Sequence, residues 1–213
     1  MEGEEHICTG CLCDLPYTHF REYENNAVAQ LFADRIPVVA ATAPFYFEQG
    51  GRIQTLIHAL KYHDNKELGY YLGRQTALDL SGKEKNFFVP EGGPPVDILI
   101  PVPLHSRKQR QRGYNQSEWV ARGLSSVLHL PVETAAIRRV KSNETQTHKQ
   151  LYERWENVQD VFALTATAHL EGKHVLLIDD VITTGSTIGV CAETLLTVPG
   201  IHVSILGIAV TKH

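Results

Sequence analysis

The stretch His174 to Thr187, HVLLIDDVITTGST, decides how this chain is read. An apolar run, Val175 to Ile178, leads into two adjacent carboxylates, Asp179 and Asp180, and then Val181-Ile182. A small polar turn follows, Thr183-Thr184-Gly185-Ser186-Thr187, and from Ile188 to Leu196 the pattern is helical. A continuous hydrophobic run of this kind predicts a strand buried on both faces. The turn then sets backbone N–H groups and hydroxyls at a helix N-terminus, where unpaired donors and the helix dipole attract an anion, most naturally a phosphate. The acids beside it can accept hydrogen bonds from sugar hydroxyls or help hold Mg2+. Many α/β proteins have a capped helix after a strand, but adjacent acids at the end of a buried strand are costly without partners, which favours a functional reading.

Val175 to Thr187 resembles, position by position, the signature of type I phosphoribosyltransferases: four apolar residues, two acids, two apolar residues, then Thr-Thr-Gly-x-Thr. The resemblance implies that Thr183, Thr184, Gly185, Ser186 and Thr187 grip the 5′-phosphate of phosphoribosyl pyrophosphate (PRPP). It also implies that Asp179 and Asp180 contact the ribose 2′ and 3′ hydroxyls and serve catalysis.

Upstream, Val96 to Pro103, VDILIPVP, reads as a buried strand ended by two prolines, so the backbone leaves the sheet there. Arg107, Lys108, Arg110 and Arg112 then fall within six residues, followed by Gly113 and a candidate N-cap, Asn115, for a helix from Gln116 to Val127. A charge run is usually a solvated face. This one follows the C-terminal end of a strand, the edge where open α/β sheets bind ligands, and arginine's planar fork suits phosphate. The net charge of −4 hides the concentration: His105 to Arg154 holds ten Lys/Arg against four Asp/Glu. Segregated basic charge suits a polyanionic ligand, PRPP or nucleic acid.

Elsewhere, Asn25 to Ile36 reads as a short amphipathic helix, Pro37 to Phe47 as one or two strands, and Arg52 to Tyr62 and about Lys66 to Leu80 as helices. His58, Lys61, Tyr62 and His63 gather at the end of the first of these helices, where cations complement the dipole. Ser81 to Pro95 is a connection rich in Gly, Pro and Lys. Val132 to Ile137 reads as a short strand and Val203 to Val210 as the last buried one. Arg138 to Val161 is long and polar, the character of a lid or binding segment, with a helix expected from His148 to Asn157 and Lys149, Arg154 and Asn157 its most suggestive members. Strands alternating with helices predict an α/β fold: an open, mostly parallel sheet with helices on both faces.

Residues 1–36 form a candidate N-terminal cysteine-containing segment ahead of a domain spanning 37–213. Cys8-x-x-Cys11 could chelate Zn2+, but a structural site needs four ligands; His6, Cys13 and His19 are possible substitutes, and Cys191 lies far along the chain. Half a zinc site, an incidental thiol cluster and a redox pair all remain open. With 213 residues, 43% hydrophobic and 21% charged, no apolar run near membrane-spanning length and an acidic start without an apolar leader, a cytoplasmic protein without membrane insertion is expected.

The combination of RIQTLIHALKYH, IPVPLHSRKQRQRGYNQ, the RRVKSNETQT…Q…ER…N…F pattern and the terminal signature resembles the ComF-type, amidophosphoribosyltransferase-like competence proteins, over about Cys8 to Thr211. The resemblance implies a type I phosphoribosyltransferase fold with a four-cysteine N-terminal zinc ribbon, of which this chain shows only one CxxC, at Cys8 and Cys11. It implies Mg2+ with PRPP, and a role in natural competence through incoming single-stranded DNA and competence proteins. A pyrophosphate loop would run through Pro103, Leu104, Arg107, Lys108, Arg110 and Arg112. A flexible catalytic loop would carry Lys141, Thr145, Gln146, Lys149, Arg154 and Asn157. The alternative function is an active Mg2+-dependent phosphoribosyltransferase of nucleotide or amine metabolism.

Overall fold

A computed structural model of the chain describes residues 7–20, 22–62, 65–82, 85–141, 161–165 and 167–212. In chain order its elements are α1 (Thr9–Cys13), α2 (Ala27–Gln30), β1 (Ala41–Thr42), β2 (Phe45–Phe47), α3 (Arg52–Tyr62), α4 (Lys66–Leu80) and β3 (Ile98–Pro101). There follow α5 (Ser106–Arg112), α6 (Gln116–Leu128), β4 (Ile137–Arg139), β5 (Phe162–Leu164), β6 (His174–Ile182), α7 (Ser186–Leu195) and β7 (His202–Thr211).

The signature strand β6 lies inside the sheet. It pairs in parallel with β7, His174 opposite His202 through to Ile182 opposite Val210, and on its other side with β3, Ile98 opposite Val175. The outer edge of β7 takes β1 and β2 in parallel as two pieces of one strand, interrupted at Ala43-Pro44, where proline has no N–H for the ladder. Side chains of β6 alternate: Val175 and Leu177 join Val28, Phe32, Ile188 and Cys191 in one core, while Leu176 and Ile178 join Ile53, Leu60, Leu72 and Val120 in the other. A strand covered on both faces must be apolar throughout, which is why its sequence shows no polar alternation. The expected α/β class, with helices on both faces of a parallel sheet, is what forms.

Some expected elements differ. The helix expected over Asn25 to Ile36 keeps only α2, capped by Asn26 Oδ1, which accepts from the N–H groups of Val28 and Ala29. The expected strand from Val132 to Ile137 contracts to one parallel bridge, Val132 to Leu99. Glu133 Oε1 accepts from the N–H of Ala135 at 2.5 Å and of Ala136 at 3.1 Å, bending the chain out of the ladder. The strand forms instead as β4, paired antiparallel with β5 in a separate ribbon. The cation run is helical: α5 starts where His105 Nδ1 accepts from the Arg107 N–H and stops at Gly113, φ 80°. Asn115 caps α6 as expected. The N-terminal segment lies along the edge of the sheet, with Tyr46 N–H donating to Pro16 O at 2.7 Å and Thr18 N–H to Pro44 O at 2.8 Å. Among the described residues no helix is long and apolar enough to cross a membrane.

Helices α4 and α6 meet backbone to backbone. A Cβ on Gly73 would sit 2.1 Å from the Val120 carbonyl oxygen, and one on Gly123 would sit 2.1 Å from that of Tyr70. This contact seats the N-terminus of α6 against the end of the sheet. Gly73→Ala or Gly123→Ala should therefore cost about 3 kcal/mol by forcing the helices apart, whereas Gly10→Ala, with open space around it, should be nearly neutral. Denaturant midpoints of the three variants check this.

Candidate functional site

Strand β6 does not stop at its acids but runs through them to Ile182. Period-two alternation therefore sends the two carboxylates to different neighbours. Asp179 Oδ1 accepts from Ser117 Oγ–H, at the start of α6, at 3.2 Å and from the Asp180 N–H at 2.8 Å. Asp180 Oδ2 lies 3.0 Å from Lys61 Nζ, in the last turn of α3. Burial, and next the neighbouring Asp180 charge, push the Asp179 carboxyl up to about 7, against the opposing pull of the Asp180 N–H, Lys61 and Ser117.

Beyond the acids, Gly185 takes φ 72° and caps α7, and a Cβ there would lie 2.9 Å from the Phe32 ring. Only glycine combines that backbone angle with so close a neighbour. Gly185 at the cap position has no side chain to offer α7; the Ser186 N–H donates instead to Thr184 Oγ1 at 3.4 Å, and the Thr184 and Ser186 hydroxyls stand 2.8 Å apart. Thr183 is exposed, and Thr184, Ser186 and Thr187 are half-buried. The turn thus offers a positive helix end ringed by hydroxyls.

Pro103 and Leu104, half-buried, lead from β3 into α5, where Arg107, Lys108 and Arg110 are exposed and Arg112 is half-buried. The Lys108 amine is pushed down, first by partial burial and then by the charges of Arg139 and Arg112 and, more weakly, Lys61. Lys61, Lys108, Arg112 and Arg139 therefore converge from α3, α5 and β4. Arg139 stacks over Phe162 at 5.6 Å and leaves its Nε buried without an acceptor among the described residues. Burial pushes its guanidinium down and Asp179 pulls it back up. Sequence reasoning missed Lys61 and Arg139 as site residues. Arg139 carried a signal, since it shares the inward phase of Ile137 across exposed Arg138. Lys61 stood out only as one of the cations gathered at the end of α3, and with α3 and β6 distant in sequence nothing in either segment marked it as a partner of Asp180.

Lys141 is exposed just past β4. Thr145, Gln146, Lys149, Arg154, Asn157 and the helix expected around them lie outside the described residues, as do His6 and His63. Cys8 and Cys11 come together at the start of α1, where the Cys11 N–H donates to Cys8 Sγ at 3.4 Å, and hydrogen bonding to Cys8 raises the Cys11 thiol. Among the described residues, no three His, Cys, Asp or Glu side chains gather as a metal site. The described residues therefore fall short of the four ligands a structural Zn2+ needs.

Residues 115–210, from the cap of α6 to the end of β7, match the family described as Phosphoribosyl transferase domain. The chain is 33% identical over 144 residues to the DNA utilization protein YhgH of Escherichia coli O157:H7, covering 68% of this chain and 61% of that one. It is also 33% identical over 114 residues to Competence protein F of Haemophilus influenzae, covering 53% of this chain and 50% of that one. Residues 115–210 thus carry a phosphoribosyltransferase domain, and the chain is similar to the ComF-type competence proteins. The chain thus spans about three fifths or less of the length of these relatives. Among solved structures, an adenine phosphoribosyltransferase from Thermoanaerobacter pseudethanolicus is similar with a TM-score of 0.41 and 16% identity, covering 70% of this chain and 82% of that one. The matched region contains both acids, the turn from Thr183 to Thr187, Ser117 and Arg139, whereas Lys61 and α5 precede it.

The raised Asp179 value has a definite sign. Because the folded-state value of about 7 lies above the ordinary 3.8, the folded chain holds the extra proton within that window. This group's contribution to stability therefore falls as pH rises through the window. A carbon-13 NMR titration should find the Asp179 midpoint near 7, and Asp180→Asn should lower it by removing the neighbouring charge. An unchanged midpoint in Asp180→Asn would refute the coupling.

Proposed function

We propose that this chain binds PRPP or ribose 5-phosphate at the C-terminal end of β6. The observation that carries this reading is the meeting of Lys61 with Asp180 and of Arg139 with Asp179, with Lys108 and Arg112 near those cations and the glycine-turned start of α7 beyond the acids. Thr183 to Thr187 would take the 5′-phosphate, Asp179 and Asp180 the ribose diol, and the cations the diphosphate. Asp179 and Asp180, as hard oxygen donors, suit Mg2+, which when bound supplies charge neutralisation to the diphosphate. Asp180 is paired with Lys61 at 3.0 Å in the free chain, so a ligand hydroxyl would replace that ammonium as its partner. Asp179→Asn combined with Asp180→Asn should weaken PRPP binding about tenfold or more, because two charge-assisted hydrogen bonds are lost. Calorimetry measures this, and equal affinities would overturn the reading.

The relatives' names, DNA utilization protein and Competence protein F, favour a role in natural competence, with the protein in the cytoplasm handling incoming single-stranded DNA alongside competence proteins. The exposure of Arg107, Lys108 and Arg110 on one short helix supports phosphate-backbone contacts there. Replacing all three with Ala should flatten the salt dependence of single-stranded DNA binding by about two units, read by fluorescence anisotropy. No binding at low salt would remove DNA from the reading. Pyrophosphate release from PRPP and Mg2+ with a panel of amines and bases tests the alternative, in which the same site transfers the phosphoribosyl group to a nitrogen nucleophile.

A further inference from the structure

Gln116 opens α6 and is 1% exposed, yet it makes an unusual bond for so buried an amide. Its Oε1 accepts from Arg112 Nη1 at 3.0 Å, across the Gly113 break between α5 and α6. Its Nε2 is buried and has no acceptor among the described residues. The amide orientation follows from Arg112, because the flipped form would aim an NH2 at a guanidinium. On the other side, the Arg112 guanidinium carbon sits 5.5 Å from the centroid of the Tyr62 ring, which His58 braces at 4.6 Å. Arg112 is thus held from two directions by residues of α3 and α6. Arg107 and Arg110 are exposed, and the Arg110 Nε donates back to Ser106 O of its own helix.

An unmatched buried donor is costly, and the one hydrogen bond described for the Gln116 side chain is the one it accepts from Arg112. An arginine already fixed in place loses little side-chain freedom when it binds an anion, whereas exposed arginines must first be ordered. Arg112 also lies close enough to Lys108 to depress its amine, so the two can share one anion.

We propose that Gln116 is a positioning residue: with the Tyr62 ring it fixes Arg112 as the principal anion contact of the α5 cation run. This rests on the diphosphate reading above and assigns the selectivity within it. The test is calorimetric titration of inorganic pyrophosphate into the full chain. Gln116→Met keeps the volume and removes the acceptor. It should weaken binding about fivefold to tenfold, as should Arg112→Ala, and the double variant should be no weaker than either. Tyr62→Leu, at a ring 61% exposed and so removable without opening the core, should weaken binding about threefold, and Tyr62→Phe should not. Arg107→Ala with Arg110→Ala should cost less than about threefold.

Effects of Gln116→Met and Arg112→Ala that multiply in the double variant would overturn the proposal. So would a loss in Arg107→Ala with Arg110→Ala as large as in Arg112→Ala. If Gln116→Met does not fold, the Tyr62 pair decides: equal affinities for Tyr62→Leu and Tyr62→Phe reject the clamp. Wild-type protein that binds no pyrophosphate would overturn the site reading itself, a result distinct from binding that ignores Gln116.

Discussion

Two adjacent carboxylates at the end of a strand buried on both faces set the terms for the rest of this molecule. Charge there is expensive in proportion to the water removed, and the apolar run before the acids is sealed by cores on both sides, leaving Asp179 half-buried and Asp180 buried. Lys61 meets that cost for Asp180 from one face of the sheet. Asp179 accepts from a hydroxyl and a neighbouring N–H, and burial together with the Asp180 charge still holds its carboxyl high. The two acids are thus chemically unequal although they are neighbours in sequence, and the inequality comes from which helix reaches which side chain.

The backbone contact between α4 and α6 serves the same end of the sheet. Glycines at Gly73 and Gly123 let α6 settle deep enough for Asn115 to donate to Val102 O at 3.0 Å, tying the helix start to the end of β3. Ser117, two residues on, then reaches Asp179. Tyr114, just before the cap, donates its hydroxyl to Leu60 O, near the end of the helix that carries Lys61. One short stretch, Arg112 to Ser117, therefore links α3, β3 and β6, and a disturbance in it moves a cation, an acid and the hydrogen bonds between them together.

Charge balance across the site is uneven in the ligand-free chain. Lys61, Lys108, Arg112 and Arg139 crowd closely enough to depress an amine, while two acids face them. The two acids relieve part of this crowding, through the Lys61–Asp180 pair and the attraction between Asp179 and Arg139. The N-terminus of α7 adds the backbone's partial charge to the same end.

Much of this was legible in the residues. A nine-residue strand with no polar alternation required cover on both faces, and Gly185 after two threonines required a tight turn into a helix. Asn115 announced its helix, because capping is a local matter of side chain and backbone. Local chemistry also misled. The cations of α5 read as a loop because their helix has no buried face, and Val132 to Ile137 read as a strand because its β-branched ends hid the side-chain turn made by Glu133. What the sequence determined by itself was the strand, the turn and the acids, whose character comes from the order of neighbouring residues. The tertiary structure alone decided which cations meet those acids. Lys61 and Arg139 come from elements far apart in the chain, and no periodicity in one segment records the position of another.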